Sequence, residues 1–275
     1  MGRNLHFSRP TLGLGLCLLA PLLQADEGEP GASHTLSFGS YYGEGDFGED
    51  RDTRIVYLPL SYEYSRDGWR WSASLPWLRI SGPGDVLLNI GGVTRPDQPQ
   101  REPERDNVAT SGAGDLLLRA TRELAPWSES APFIDLAVEV KLPFADEAQG
   151  LGTGARDYAL QSDLYQVWGS TTVFVTLGYR WRGQSDWFDG LQDSASVSLG
   201  WSRPLLQEAG ADAWSWGLIY DYREAASLLS SDIHELLPYL NWSPGGAWSV
   251  MAYATRGFSR DSIDVAAGLQ LNYRW

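Results

Sequence analysis

The run Ile263-Asp264-Val265-Ala266-Ala267-Gly268-Leu269-Gln270-Leu271-Asn272-Tyr273-Arg274-Trp275 decides the fold. Its odd positions are apolar or aromatic, and nearly all its even positions are polar or small. A period of two over that length predicts a β-strand with one greasy face and one polar face. Tyr273 and Trp275 place two aromatic rings at the end of the greasy face.

The same grammar recurs back along the chain. Period-two segments stand at 32–42, 53–65, 68–80, 113–124, 131–142, 158–168, 171–182, 193–203, 212–223, 232–243, 247–258 and 262–275, with breakers between them. One face is apolar in most of them. Examples are Val56/Leu58/Leu60/Tyr62/Tyr64, Ile134/Leu136/Val138/Val140/Leu142, Val173/Val175/Leu177/Tyr179/Trp181 and Trp214/Trp216/Leu218/Tyr220/Tyr222. These rows carry no charge. An Arg or Lys facing lipid at mid-membrane costs about 2–4 kcal/mol, so a lipid-facing row is expected to lack one. The pattern predicts an all-β chain, an antiparallel up-and-down transmembrane β-barrel of about twelve strands over 26–275.

Residues 1–25 read differently. Arg3 and Arg9 give a basic start, Thr11 to Leu23 form an apolar run, and Gln24-Ala25 supplies a small residue before an acidic stretch. This predicts a secretory signal peptide cleaved near Ala25–Asp26. The run is short of the about 20 residues a spanning helix needs. The single cysteine, Cys17, lies inside it, and Leu16 before it is too large for lipidation. The remaining chain holds no cysteine, which excludes disulfides and thiolate chemistry there.

The whole chain has 21 basic and 35 acidic residues, a formal charge of −14. Without Arg3 and Arg9 the balance is 19 against 35, or −16. That charge argues against a nucleic-acid partner. No later stretch approaches 18 uninterrupted apolar residues, so no membrane helix is predicted. Barrel strands average out in hydropathy and escape that test.

A strand that stops on an aromatic residue resembles the closing strand of bacterial outer-membrane β-barrels. The resemblance implies an outer-membrane address and recognition by the barrel assembly machinery. Such barrels have short periplasmic turns and longer outside loops. An even strand count puts both termini on the periplasmic side. The outside loops are then 43–52, 81–112, 143–157, 183–192, 224–231 and 259–261, the largest being 81–112. The same topology gathers Trp69, Trp71, Trp127, Trp168, Trp201, Trp214, Trp216, Trp242, Trp248 and Trp275 at the periplasmic level. Only Trp77, Trp181 and Trp187 fall near the outer end. Indole favours the lipid headgroup region, so the larger set, Trp69, Trp71, Trp201, Trp214, Trp216, Trp242, Trp248 and Trp275 above all, predicts a membrane girdle.

The opposite faces are predicted to line the lumen. They carry Asp115, Arg119, Asp135, Glu139, Lys141, Asp163, Arg180, Asp221, Arg223 and Asp264. Charges of both signs in a confined interior must pair or stay wet. They serve either as a network that brace the lumen or as a polar path, and mixed signs argue against strong ion selectivity. Lys141 and Asp163 lie inward on adjacent strands, where a pair is expected.

No catalytic set, cofactor site or metal-ligand spacing is found. After the signal segment the only histidines are His34 and His234. A hydrolase site needs a base beside a nucleophile or metal. Ser230, Ser231, Asp232 and Glu235 near His234 do not make a triad by sequence alone. Gly150-Leu151-Gly152-Thr153-Gly154 lacks the Lys-Ser/Thr of a phosphate loop.

Two stretches add a finer resemblance. Ser111-Gly112-Ala113-Gly114-Asp115-Leu116 enters the fourth segment. Lys141-Leu142-Pro143 ends the fifth, and Leu151-Gly152-Thr153-Gly154 precedes Asp157-Tyr158. Together they resemble the outer-membrane transporter family of the meta-pathway of phenol degradation. Phe144-Ala145-Asp146 departs from that family's usual Thr-Gly-Asp. The resemblance implies passage of small molecules, aromatic or hydrophobic among them, across the outer membrane. Three classes therefore stand open: a small-molecule channel, which is the leading reading; a closed structural or adhesive barrel with acidic loops; and a lipid-modifying enzyme using His234. Lipid and a small-molecule solute are the expected partners.

Overall fold

The computed structural model describes residues 31–48, 50–82, 86–87, 91–92, 108–128, 130–206 and 213–275. The predicted signal segment and most of the 81–112 loop lie outside the described residues. The strands are β1 Ser33–Gly45, β2 Thr53–Arg66, β3 Trp69–Gly82, β4 Val86–Leu87, β5 Gly91–Gly92, β6 Val108–Ala113, β7 Leu116–Leu124 and β8 Phe133–Leu142. They continue as β9 Asp157–Trp168, β10 Thr171–Trp181, β11 Ser194–Leu206, β12 Ala213–Arg223, β13 Ile233–Ser243, β14 Trp248–Gly257 and β15 Val265–Arg274. The pair β4–β5 stands apart as a two-stranded ribbon.

All the other strands form one antiparallel sheet, each paired to its neighbours in sequence. β1 pairs with β2 on one side and β15 on the other, so the sheet closes on itself. β6 and β7 both pair with β3 and act as two halves of one wall strand. The result is a closed barrel of twelve wall strands, as the alternation predicts. Closure gives every full-length wall strand two partners, while β6 pairs only with β3.

The barrel is inside-out relative to a water-soluble one. Leu60, Val138 and Leu269 are more than half exposed on its outside, whereas Asp135 on the inside has 0% exposure. The charged interior is paired side chain to side chain, and the apolar exterior requires an apolar solvent. Two of the turns at the end carrying both termini are tight. Asp67 and Gly68, both with positive φ, link β2 to β3, and Gly169-Ser170 link β9 to β10. Two residues with φ above zero match the twist of a tight hairpin.

Two wall strands depart from their predicted spans. The fourth begins at Val108, inside the expected loop, and is broken at Gly114–Asp115. The ladder stops at Ser74↔Leu117 and resumes at Trp77↔Ala113, which leaves one extra residue on the β6–β7 side. Pro76 has no N–H to give here, and its carbonyl accepts from Gly114 N at 2.8 Å. The bulge turns Asp115 toward the loop end of the barrel. Glycine at 114 is required by close approach, since a Cβ there would lie 2.8 Å from the Pro76 ring. The last strand begins only at Val265, because Ser262 N bonds back to Ser259 O and turns the chain first.

Inside the wall, three large rings face glycines across the ladder. The pairs are Phe174↔Gly200, Tyr239↔Gly217 and Tyr253↔Gly268. A Cβ on each glycine would collide with the facing ring. The rings therefore lie along the wall rather than standing out from it, a packing that also shields the glycine backbone. Gly200→Ala is expected to push Phe174 off the wall and destabilise the barrel by about 1–3 kcal/mol. Urea unfolding in detergent micelles measures this, and an unchanged midpoint would refute the packing.

Candidate functional site: the barrel interior

The inward side chains divide into a charged wall and an aromatic one. The charged wall is built by β3 and β7 to β10, whose inward positions carry Arg70, Arg119, Asp135, Glu139, Lys141, Asp157, Gln161 and Asp163. Nearest the termini, Arg70 binds Asp135 at 2.8 Å and also Glu123. Further in, Arg119 donates to Gln161 at 3.1 Å and lies 3.6 and 3.7 Å from Glu139 and Asp163. Asp163 also accepts from Gln161 and from Thr176. Arg180 meets Glu139 at 2.7 Å. Nearest the loops, Lys141 meets Asp115 and Asp157, each at 3.1 Å, and donates to Thr153 at 2.7 Å.

These contacts make a column of alternating charge running along the barrel. Each ion is paired and further hydrogen-bonded, the condition under which buried charge is tolerated. The expected Lys141–Asp163 pair does not form. Lys141 stands opposite Asp157 in the ladder, while Asp163 stands opposite Asp135 three inward positions away. Arg182, just beyond β10, lies 3.8 Å from Asp157. Burial, with Arg180 alongside, pushes its guanidinium down to about 10.

Asp221 and Arg223 sit elsewhere, at the loop end of β12. Arg223 reaches Asp221 at 2.8 Å and Glu235 of β13 at 2.6 Å. Asp264 lies in the turn before β15, where its carboxylate accepts from Asp46 N at 3.2 Å. It joins loop to loop and touches none of the column. Arg70, Asp157, Thr153 and Glu235 complete the paired sets, although the sequence reading does not place them in the lumen. Parity alone identifies Arg70, which alternates with outward Trp69 and Trp71.

The aromatic wall has two buried clusters. One lies toward the loop end and joins Tyr41, Ile55, Tyr57, Leu78 and Ala266 of the wall to Phe47, Ala145, Leu151 and Ile263 of the loops. The other joins Tyr165, Phe174, Ile219, Tyr239 and Met251, with Phe133 and Leu237 against it. Tyr253 packs against both, so the apolar surface is continuous.

A latch holds one loop in the first cluster. Asp115 Oδ1 accepts from Phe144 N and Ala145 N, both at 3.1 Å, while its other oxygen binds Lys141. Thr153 Oγ1 receives Lys141 Nζ. Loop 143–156 is thereby folded inward, and Leu151 is buried against the wall. The residues that carry the finer sequence resemblance build this latch: Gly114-Asp115, Lys141 and Thr153, with Asp157 beside them.

The outward tryptophans lie where the alternation puts them. Trp69, Trp71, Trp216, Trp248 and Trp275 are exposed, and Trp201, Trp214 and Trp242 are half-buried against neighbouring rings. Trp201 meets Trp216 at 4.7 Å and Trp214 meets Trp242 at 5.8 Å. Trp275 stacks on His34 at 5.4 Å, and its N–H and C=O pair with the His34 backbone. The other histidine, His234, contacts Tyr220 Oη through Nδ1 at 2.8 Å. Ser259 and Ser262 meet its backbone N rather than its ring. No group of three His, Cys, Asp or Glu suited to a metal occurs among the described residues.

No family model matches the sequence, and no curated protein matches it. Solved structures do. The COG4313 outer membrane channel from Pseudomonas putida F1 superposes with a TM-score of 0.65 at 14% identity, over 89% of this chain and 95% of that one. The translocator domain of the autotransporter NalP from Neisseria meningitidis gives a TM-score of 0.49 at 10% identity, over 91% and 90%. At these identities the likeness is one of fold, and the first of the two carries it: this chain has the architecture of a solved outer-membrane channel.

Proposed function

We propose that this chain is a bacterial outer-membrane channel or transporter for small molecules with an aromatic or otherwise apolar body, of the kind implied by its resemblance to the phenol meta-pathway transporters. One observation carries the reading. A continuous cluster of buried aromatic and apolar side chains runs from the loops at one end to Phe133 near the other, linked by Tyr253. Beside it the charged wall is internally paired, each carboxylate meeting a cation of the wall. A solute of low charge and apolar body fits such a lining better than a salt ion does. The exposed outer rows contact lipid, and the tryptophans near the termini sit at the periplasmic headgroups.

A second reading is a closed structural barrel. The close burial of interior side chains, with Ile55 at 1% and Asp135 at 0%, favours it. One experiment separates the two. Purified protein in liposomes should take up a small uncharged aromatic solute while passing little ionic current in planar bilayers. Absence of both uptake and current overturns the channel reading in favour of the closed barrel. Recovery of the protein outside the outer-membrane fraction overturns the location.

A further inference from the structure

The outward face of the barrel has an unusual charge balance. Acidic residues outnumber basic ones across the chain by 35 to 21. On the outward-facing strand positions that are described, the order reverses. Arg54, Arg66, Arg79, Arg122, Arg203 and Arg256 stand there against a single carboxylate, Glu44. The acids have been sorted inward or into loops, and the arginines remain at the rims.

The two rims differ. At the terminal end Arg66 and Arg122 share a ladder row across Trp69, with Arg122 held 5.3 Å over that ring, and Arg203 stands apart on β11. At the loop end Arg54, Arg79 and Arg256 all fall within the five adjacent strands β14, β15, β1, β2 and β3. One ladder row runs Arg256↔Val265, Val265↔Glu44, Glu44↔Arg54 and Arg54↔Ser81. Arg79 is two residues from Ser81 on the same face, a diagonal neighbour of Arg54. At about 4.8 Å per strand, Arg256 and Arg54 are about 14 Å apart along the row. Glu44 between them contacts Arg54 at 3.3 Å and accepts from the Tyr42 hydroxyl at 3.2 Å. Arg54 is still 59% exposed, and Arg256 is anchored to the Asp264 carbonyl at 2.9 Å. Trp77, one outward position deeper than Arg79, supplies an exposed ring below the cations.

We propose that this arginine row is a binding site for the phosphate groups of a phosphorylated glycolipid in the outer leaflet. The guanidinium fork matches phosphate oxygens in pairs, and arginine rather than lysine is what the site contains. Position selects the source: the cations face away from the lumen at the level where headgroups meet acyl chains, and apolar rows continue directly beneath them. The proposal rests on the outer-membrane location, not on the transport activity.

The test uses full-length folded protein in detergent. The probes are lipid A bearing its phosphates, the same lipid after enzymatic dephosphorylation, and inorganic phosphate. Wild type should bind the phosphorylated lipid and discriminate against the dephosphorylated one. The triple variant Arg54→Gln, Arg79→Gln, Arg256→Gln should bind roughly 10- to 100-fold more weakly and lose that discrimination. The control variant Arg66→Gln, Arg122→Gln, Arg203→Gln should match wild type. Equal binding by the triple variant, or equal binding of both lipids by wild type, overturns the proposal. Displacement of the lipid by millimolar inorganic phosphate overturns the lipid as the source. Solute uptake in liposomes lacking this lipid should be unchanged in the triple variant, which keeps failure here distinct from failure of the channel reading.

Discussion

Arg70→Met is expected to destabilise the barrel by about 3–5 kcal/mol, the largest loss at any single position in the interior. Arg70 is the cation for Asp135, which has no exposed surface, and for Glu123. Its removal leaves two carboxylates facing one another across the β7–β8 ladder, where Glu123 stands opposite Asp135. The Tyr165 hydroxyl, 3.4 Å from Asp135, is too weak a donor to replace a guanidinium. A second substitution, Asp135→Asn, removes one of the stranded charges and should restore part of the loss. Urea unfolding in detergent gives both numbers. A single variant as stable as wild type would mean that the column is solvated and braces nothing.

Lys141→Met should open the barrel rather than merely weaken it. Lys141 is the hub joining Asp115 at the bulge, Asp157 at the start of β9 and Thr153 in loop 143–156. Without it, Asp115 and Asp157 repel each other and Thr153 loses its charged donor, keeping only the Ala155 N–H. The loop then keeps its apolar contacts through Leu151 and Ala145 and the backbone bonds to Asp115, but loses its ionic tie. Loss of about 3 kcal/mol from the folded-in state raises the open fraction by about 100-fold where that fraction is small. Uptake of a small aromatic solute into liposomes should rise accordingly. Leu151→Ala, which leaves the ionic latch intact, should raise it less. Unchanged uptake by a well-folded Lys141→Met protein sinks the idea that this loop limits passage.

The sequence made the wall legible because each strand reports its own two faces. Leu136, Val138 and Val140 are outward and Asp135, Glu139 and Lys141 inward by parity alone, and so they lie. What parity does not contain is register. Lys141 and Asp163 share the inward face of adjacent strands, yet the ladder sets Lys141 opposite Asp157 instead. The bulge at Gly114–Asp115 escaped notice for a related reason, since it answers a proline on a different strand. Interior rings such as Phe174 and Tyr253 were hidden by their own chemistry. Read along one strand they look like breaks in a polar face. Only the facing strand supplies the glycines that accommodate them.

Those ring-on-glycine pairs make the bore adjustable in steps. A ring lying against bare backbone takes up little of the cross-section, so the free width there is set by the strands themselves. Adding one carbon at Gly200, Gly217 or Gly268 tips the corresponding ring into the passage. Gly217, Tyr239, Tyr253 and Gly268 follow one another along a single ladder row and Phe174–Gly200 lies off it, so the three pairs set the width at two levels.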